Sequence, residues 1–144
     1  MRLYLAGPLF TRAEVDFNAR LALCLRDKGY EVFLPQEQEA QGSTPDAIFE
    51  IDRAGLDWAD VVVANMDGAD PDSGTCWECG YAFGRDKNVV LYRTDIREEC
   101  PPLGPYNLMM HQSSDAVLDC KGQSVPEIAR KVDAALVWGG ALGK

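Results

Sequence analysis

Apolar residues along this chain follow two rhythms that take turns. Leu3 to Ala6 is a short continuous apolar run closed by Gly7-Pro8, which predicts a buried strand and a turn. From Thr11 the spacing lengthens. Val15, Phe17, Leu21, Leu23 and Leu25 stand among Arg, Asp and Lys, a helical pattern that Lys28-Gly29 ends with a cation and a C-cap glycine. Tyr30 to Leu34 reads as a second strand stopped by Pro35, and Gln36 to Thr44 as a polar loop. Thr44-Pro45 opens a second helix with Ile48, Phe49, Ile51, Ala54 and Leu56 on its apolar face. Asp60 to Ala64 is a β-branched run too short for a helix. A polar loop from Asn65 to Gly74 follows, then a third helix from Thr75 to Arg85 and a fourth strand from Asn88 to Tyr92. Arg93 to Pro105 is a loop rich in breakers (Pro101, Pro102, Gly104, Pro105). Ala116 to Leu118 is a short fifth strand, and Val125 to Trp138 a closing helix with Ile128, Val132, Leu136 and Val137 at helical spacing.

Alternating strands and helices require a parallel sheet with crossover helices. Five strands at this size predict an α/β fold, a flavodoxin-like doubly wound five-stranded parallel sheet in the order 2-1-3-4-5 with helices on both faces. No linker or repeat divides the chain, so residues 1–144 are expected to form a single domain. In such folds ligands sit beyond the carboxyl ends of the strands, where the strand order reverses. That rule selects three loops, Gly7 to Thr11, Asn65 to Thr75 and Arg93 to Leu108.

Charge narrows the partners. Fourteen Lys and Arg against 23 Asp and Glu give a net charge of −9. A nucleic acid or an anionic membrane would need clustered cations, so neither is expected as the main partner. No apolar run approaches the roughly 18 residues of a spanning helix, and the N-terminus lacks a signal-peptide pattern. A cytoplasmic protein with reduced thiols is expected, its five cysteines (Cys24, Cys76, Cys79, Cys100, Cys120) being odd in number. Cys76-Trp77-Glu78-Cys79 is formally a CxxC. A zinc site would need two more ligands, yet there is no second CxxC and His111 is the only histidine, so no metal is expected. A redox pair of this kind belongs after a first strand rather than mid-chain, and packing of small residues in a helix is the simpler account.

The loop after strand 3 carries Asp67, Asp70, Asp72, Ser73, Gly74 and Thr75, and the helix it starts carries Glu78. The spacing fails for a calcium loop. Helix capping accounts for Asp72 or Ser73 but not for Glu78, which stands between Trp77 and Cys79 ahead of Gly80-Tyr81-Ala82-Phe83-Gly84. A carboxylate buried there without a cation should have a raised pKa, which marks it as a candidate for function beside a plain packing role. There is no GxGxxG, no GxxxxGK[ST] and no GxSxG, so dinucleotide, P-loop and serine-hydrolase chemistry lack support. Carboxylate chemistry on a small neutral or weakly charged substrate remains.

Several segments together resemble the nucleoside 2-deoxyribosyltransferase family. They are Tyr4-Leu5-Ala6-Gly7-Pro8-Leu9-Phe10, Asp52 in Glu50-Ile51-Asp52-Arg53, Asp57-Trp58-Ala59-Asp60 with the run after it, Asp72-Ser73-Gly74-Thr75-Cys76-Trp77-Glu78-Cys79-Gly80-Tyr81-Ala82, and Asn107-Leu108-Met109. Their order and spacing hold from residue 3 to about residue 110. The resemblance implies a two-step exchange without cofactor or metal: the N-glycosidic bond of a 2′-deoxynucleoside is cleaved, the sugar is held on Glu78, and another nucleobase receives it. By family position Asp52 is the acid/base facing the base, and Tyr4 holds the nucleophile through its hydroxyl. Asp72 lies near the sugar 5′-hydroxyl, where nucleotide-hydrolysing relatives tend to carry a serine. Phe10 and Trp58 wall or stack on the base, and Trp58 also suits a core position. Gly7 and Gly74 flank the substrate, Asn107 reaches a neighbouring subunit's site, and Met109 lines the same wall, though a methionine also suits a core position. A dimer-based homo-oligomer acting on deoxynucleosides and free nucleobases is therefore expected, with weaker hydrolysis as a side reaction. Hydrolysis of deoxynucleosides or their 5′-monophosphates, or a non-catalytic ligand sensor, are the alternatives.

Overall fold

The computed structural model describes residues 1–38, 44–97 and 106–138. Its strands are β1 (Arg2–Ala6), β2 (Glu31–Phe33), β3 (Val61–Asn65), β4 (Asn88–Arg93) and β5 (Ala116–Asp119). The helices are α1 (Arg12–Arg26), α2 (Pro35–Gln38), α3 (Pro45–Trp58), α4 (Ser73–Gly84), α5 (Leu108–Gln112) and α6 (Val125–Trp138). All strand pairs are parallel, in the order β2-β1-β3-β4-β5 that the alternation of elements predicts.

Side-chain parity divides the core, because successive strand residues point to opposite faces. Leu3 and Leu5 of β1, Val61 and Val63 of β3, and Val90 and Tyr92 of β4 pack with Leu21, Leu25, Ile128 and Val132 of α1 and α6. The intervening residues Tyr4, Ala6, Val62, Ala64, Val89 and Leu91 face Leu56 of α3, Cys79 and Ala82 of α4, and Met110 of α5. The central strands are thus apolar on both faces, which explains their continuous rather than alternating hydrophobic runs.

Local signals set the helix ends. Thr11 caps α1 in a reciprocal capping box with Glu14, Thr44 caps α3 ahead of Pro45, and Asp72 caps α4. Several expected boundaries move. Helix α1 ends on Asp27 as C-cap, and Gly29 takes its left-handed φ of 92° in the turn after it. The supposed loop from Gln36 begins as the short helix α2, which opens on Pro35. Helix α4 begins at Ser73, two residues before the expected start, because Asp72 supplies the cap. Asn65 and Arg93 belong to strands rather than to loops, paired with Tyr92 and Asp119. Leu108 begins α5, a helix too short for periodicity to reveal. The Pro101–Pro105 stretch and Cys100 lie outside the described residues, and the four described cysteines are free thiols. No helix among the described residues is long and apolar enough to cross a membrane.

The acids after β3 divide by task. Asp67 accepts from the backbone amides of Thr94 and Asp95 at 2.6 and 2.8 Å and from the Thr94 hydroxyl at 2.6 Å, tying the ends of β3 and β4 together. Asp70 is exposed. Asp67→Ala should therefore cost about 2 kcal/mol in urea unfolding, since it strands two amides and a hydroxyl, whereas Asp70→Ala should stay within about 0.5 kcal/mol of wild type.

Candidate active site

Beyond the carboxyl end of β1 lies a cleft of about 290 Å³, on the α3–α4 side of the sheet. Leu9 and Phe10 from the loop after β1, Pro35 and Gln38 of α2, and Ile48 and Ile51 of α3 make one wall. Asp52 of α3 and Asp72, Gly74, Thr75 and Glu78 at the head of α4 make the other, with Gly7 at the base of the β1 loop. A mostly apolar surface with a few converging polar groups is the usual form of a small-molecule site. The acids lining it are Asp52, Asp72 and Glu78, and no lysine or arginine lines it among the described residues.

Glu78 sits in the second turn of α4. The buried hydroxyl of Tyr4 donates to its Oε1 at 2.5 Å, a short, charge-assisted bond. Parity produces this contact, since Tyr4 is an even position of β1 and so faces α4 rather than α1. Burial pushes the Glu78 carboxyl up to about 7; the Tyr4 hydrogen bond pulls against that, and the negative charges of Asp52 and Asp72 add to it. The tyrosine hydroxyl is itself raised, first by burial and then by Glu78, so it stays a donor.

Asp72 has two tasks at once. Its Oδ2 accepts from the amide of Thr75 at 2.8 Å and its hydroxyl at 3.0 Å, capping α4, while the residue also lines the cleft. Capping and a place in the site are thus compatible. Gly74 lies so close to Asp72 that a Cβ there would fall 3.2 Å from Oδ2. A Cβ at Gly7 would fall 3.3 Å from the Asn65 Cβ, where the β1 loop passes the end of β3.

Of the residues singled out in the sequence, Gly7, Phe10, Asp52, Asp72, Gly74 and Glu78 meet around this cleft, and Tyr4 joins it through Glu78. Phe10 is 78% exposed, standing at the mouth rather than in the floor. Trp58 lies away from it, packed against the α3–α4 core with the Arg2 guanidinium 5.6 Å over its ring. Asn107 and Met109 are outside the cleft of this chain. Asn107 caps α5, its Oδ1 accepting from the Met109 amide at 2.9 Å, and Met109 is 75% exposed. Of the three loops chosen by the strand-end rule, the first and the end of the second contribute together with α2 and α3, and none of the described residues of the third lines the cleft. Thr94, Asp95 and Arg97 instead line a separate hollow with Asp67 and Gly68. Sequence reasoning missed Pro35, Gln38, Ile48 and Ile51, while Leu9 and Thr75 fall within the selected loops without a role of their own. Ile48 and Ile51 carry a signal, because both lie on the apolar face of the second predicted helix.

A doubly wound α/β sheet with a carboxylate-lined, apolar-walled cleft at its strand ends has the form of a small-molecule site. The chain belongs to the nucleoside 2-deoxyribosyltransferase family, whose sequence model matches residues 3–125. Among solved structures it is similar to a conserved protein from Enterococcus faecalis V583, at 24% identity and a TM-score of 0.76 over 93% of this chain and 98% of that one. A 2-deoxyribosyltransferase from Bacillus psychrosaccharolyticus matches at 26% identity and a TM-score of 0.70 over 90% of each chain. A CMP N-glycosidase from Clostridium botulinum shares the fold at 24% identity and a TM-score of 0.63, over 92% of this chain and 99% of that one. No curated protein sequence matches the chain. Family and fold together make this a deoxyribosyltransferase-type enzyme of N-glycosidic bonds.

The raised carboxyl has a consequence for stability. The native state holds its proton up to about pH 7, while an unfolded glutamate releases it near 4.5, so stability falls as pH rises between those values. Glu78→Gln, which can still accept from Tyr4, escapes that loss. Relative to wild type it should gain about 2 kcal/mol more at pH 8 than at pH 5, measured by denaturant unfolding at both. An equal difference at the two pH values would refute the buried, proton-retaining carboxyl.

Proposed function

We propose that the protein transfers the 2-deoxyribosyl group between nucleobases by double displacement through a deoxyribosyl–Glu78 ester. The observation that carries this reading is the Glu78 carboxylate itself, half-buried at a cleft wall with one oxygen held by Tyr4. In the first step a Glu78 oxygen bonds to C1′ as the C1′–N bond breaks, and the base leaves with a proton from Asp52. In the second a nitrogen of the incoming base attacks C1′ from the opposite side, Asp52 recovers a proton and Glu78 is freed. Proton delivery to the leaving base contributes about 10²–10⁴ in rate. Asp72 accepts from the sugar 5′-hydroxyl through the oxygen its capping bond leaves over. A phosphate dianion at that place would meet the negative charge of Asp72 with no lining cation among the described residues to offset it, which favours free nucleosides over nucleotides.

The apolar wall of Leu9, Phe10, Ile48 and Ile51 suits the faces of a planar heterocycle, and the Gln38 amide offers both a donor and an acceptor to its edge. In this reading Asn107 and the exposed Met109 serve the cleft of a second copy of the chain, so the working enzyme is a homo-oligomer needing no cofactor. Hydrolysis by the same ester is the second reading, favoured by the openness of the cleft mouth at Phe10, through which water reaches C1′.

Incubation with deoxyinosine and free adenine or cytosine, followed by chromatography, distinguishes the two readings. A new deoxynucleoside is expected; free deoxyribose alone would mean hydrolysis. Glu78→Gln should lose exchange by at least about 10³-fold, and residual activity above about a tenth of wild type would remove Glu78 as the nucleophile. Asp52→Asn should slow poorly leaving bases by about 10²-fold or more while sparing those that leave readily. An equal loss for all bases would exclude the proton-donor role.

A further inference from the structure

Phe33 ends β2, and the parallel register makes it the direct partner of Tyr4 on β1. Register partners on neighbouring strands place their side chains on one face of the sheet, so both rings rise toward α3. They are stacked, with centroids 5.2 Å apart and planes 12° from parallel. The tip of the Phe33 ring meets α3 at Gly55. A Cβ built on Gly55 would fall 2.5 Å from Cζ and 2.7 Å from Cε1 and Cε2, so the ring occupies the space that a side chain at this position would need. Glycine is a poor helix former, and Gly55 is buried in the body of α3.

We infer that Phe33, seated against Gly55, is a positioning residue for the Glu78 carboxylate: its ring sets the plane of Tyr4, and the Tyr4 hydroxyl sets Oε1. The inference rests on the reading of Glu78 as the nucleophile. Phe33 does not line the cleft, so it acts only through the tyrosine. The lever is sensitive, because tilting a tyrosine ring by about 10° carries its hydroxyl about 1 Å, enough to lose a good hydrogen bond. The groups facing the Glu78 carboxyl are Tyr4 from β1, Asp52 from α3 and Asp72 at the head of α4. Of these, Tyr4 alone favours the charged form, so loosening it should leave the carboxyl harder to ionise.

The ionisation of Glu78 is to be followed in Tyr4→Phe, Phe33→Leu, Gly55→Ala and the Phe33→Leu/Gly55→Ala double variant. Carbon-13 NMR of glutamate-labelled protein gives it directly, and the acidic limb of kcat/KM for deoxyinosine cleavage gives it in turnover. Tyr4→Phe should move the midpoint upward by about one unit. Phe33→Leu and Gly55→Ala should each move it the same way by at least about half a unit, with kcat lowered and KM little changed. The double variant should match Phe33→Leu alone, since the added methyl then meets no ring. Wild-type midpoints in both single variants, with Tyr4→Phe shifted, would overturn the positioning role and leave Glu78 as nucleophile untouched. The NMR titration needs no turnover, so it decides the positioning role even where the kinetic limb fails to follow it; that mismatch would instead remove Glu78 from the reaction.

Discussion

A hydroxyl-to-carboxylate contact of 2.5 Å, from Tyr4 to Glu78, joins two elements 74 residues apart and sets the terms for the rest of the molecule. A carboxylate within an apolar wall is unstable when charged unless something donates to it. Arginine or lysine would donate better, but a cation would hold the charge too firmly for the covalent exchange proposed for this group. A tyrosine hydroxyl orients one oxygen without neutralising it. It serves only if the sheet delivers it to the α4 side, and a shift of one residue in β1 would turn it toward α1.

The helices carrying the acids must also be held relative to each other, since Asp52 rides on α3 and Glu78 on α4. Behind the cleft Asp57 does this. It accepts from Arg53 at 2.9 Å on its own helix and from the Tyr81 hydroxyl at 2.8 Å on α4, while the Lys87 ammonium donates to the Asp57 carbonyl at 2.8 Å. Arg85 adds a bond to Tyr81 at 2.9 Å. These groups are half-exposed, so each contributes little energy. Their use is geometric, fixing α3 and α4 at the end away from the cleft while the cleft end stays open to substrate.

The two-rhythm pattern was sufficient for the fold because the central strands are apolar on both faces and the helices on one. The strand order followed from size and alternation, and Glu78 stood out as a candidate because capping, which accounts for Asp72 or Ser73, did not account for it. What stayed hidden was short or tertiary. Helices α2 and α5 span four and five residues, too few to show a period. Asp67 and Asp72 look alike in the chain, yet one ties two strand ends and the other caps a helix at the cleft. Gln38 and Ile48 line the site because α2 and α3 lean over the end of β1, which no local signal encodes. Phe33 read as an ordinary strand residue; its stacking on Tyr4 depends on a register that only the folded sheet defines.

In the proposed mechanism transfer and hydrolysis share every step up to the ester, so the choice between them lies in how much water stands beside C1′ when the first base has gone. An empty apolar half-site does not order water well, while a planar base gains both stacking and edge contacts there. In the proposed reaction the wall of Leu9, Ile48 and Ile51 therefore favours the base over water. At the mouth the balance reverses, with Phe10 largely in solvent and Phe49 and Trp77, a tilted pair 5.6 Å apart, each 48% exposed. In the proposed mechanism the groups assigned as nucleophile and proton donor both belong to one chain, while its described residues leave these rings exposed. The ratio of the two reactions is then set less by the acids than by whatever covers those aromatic rings during turnover.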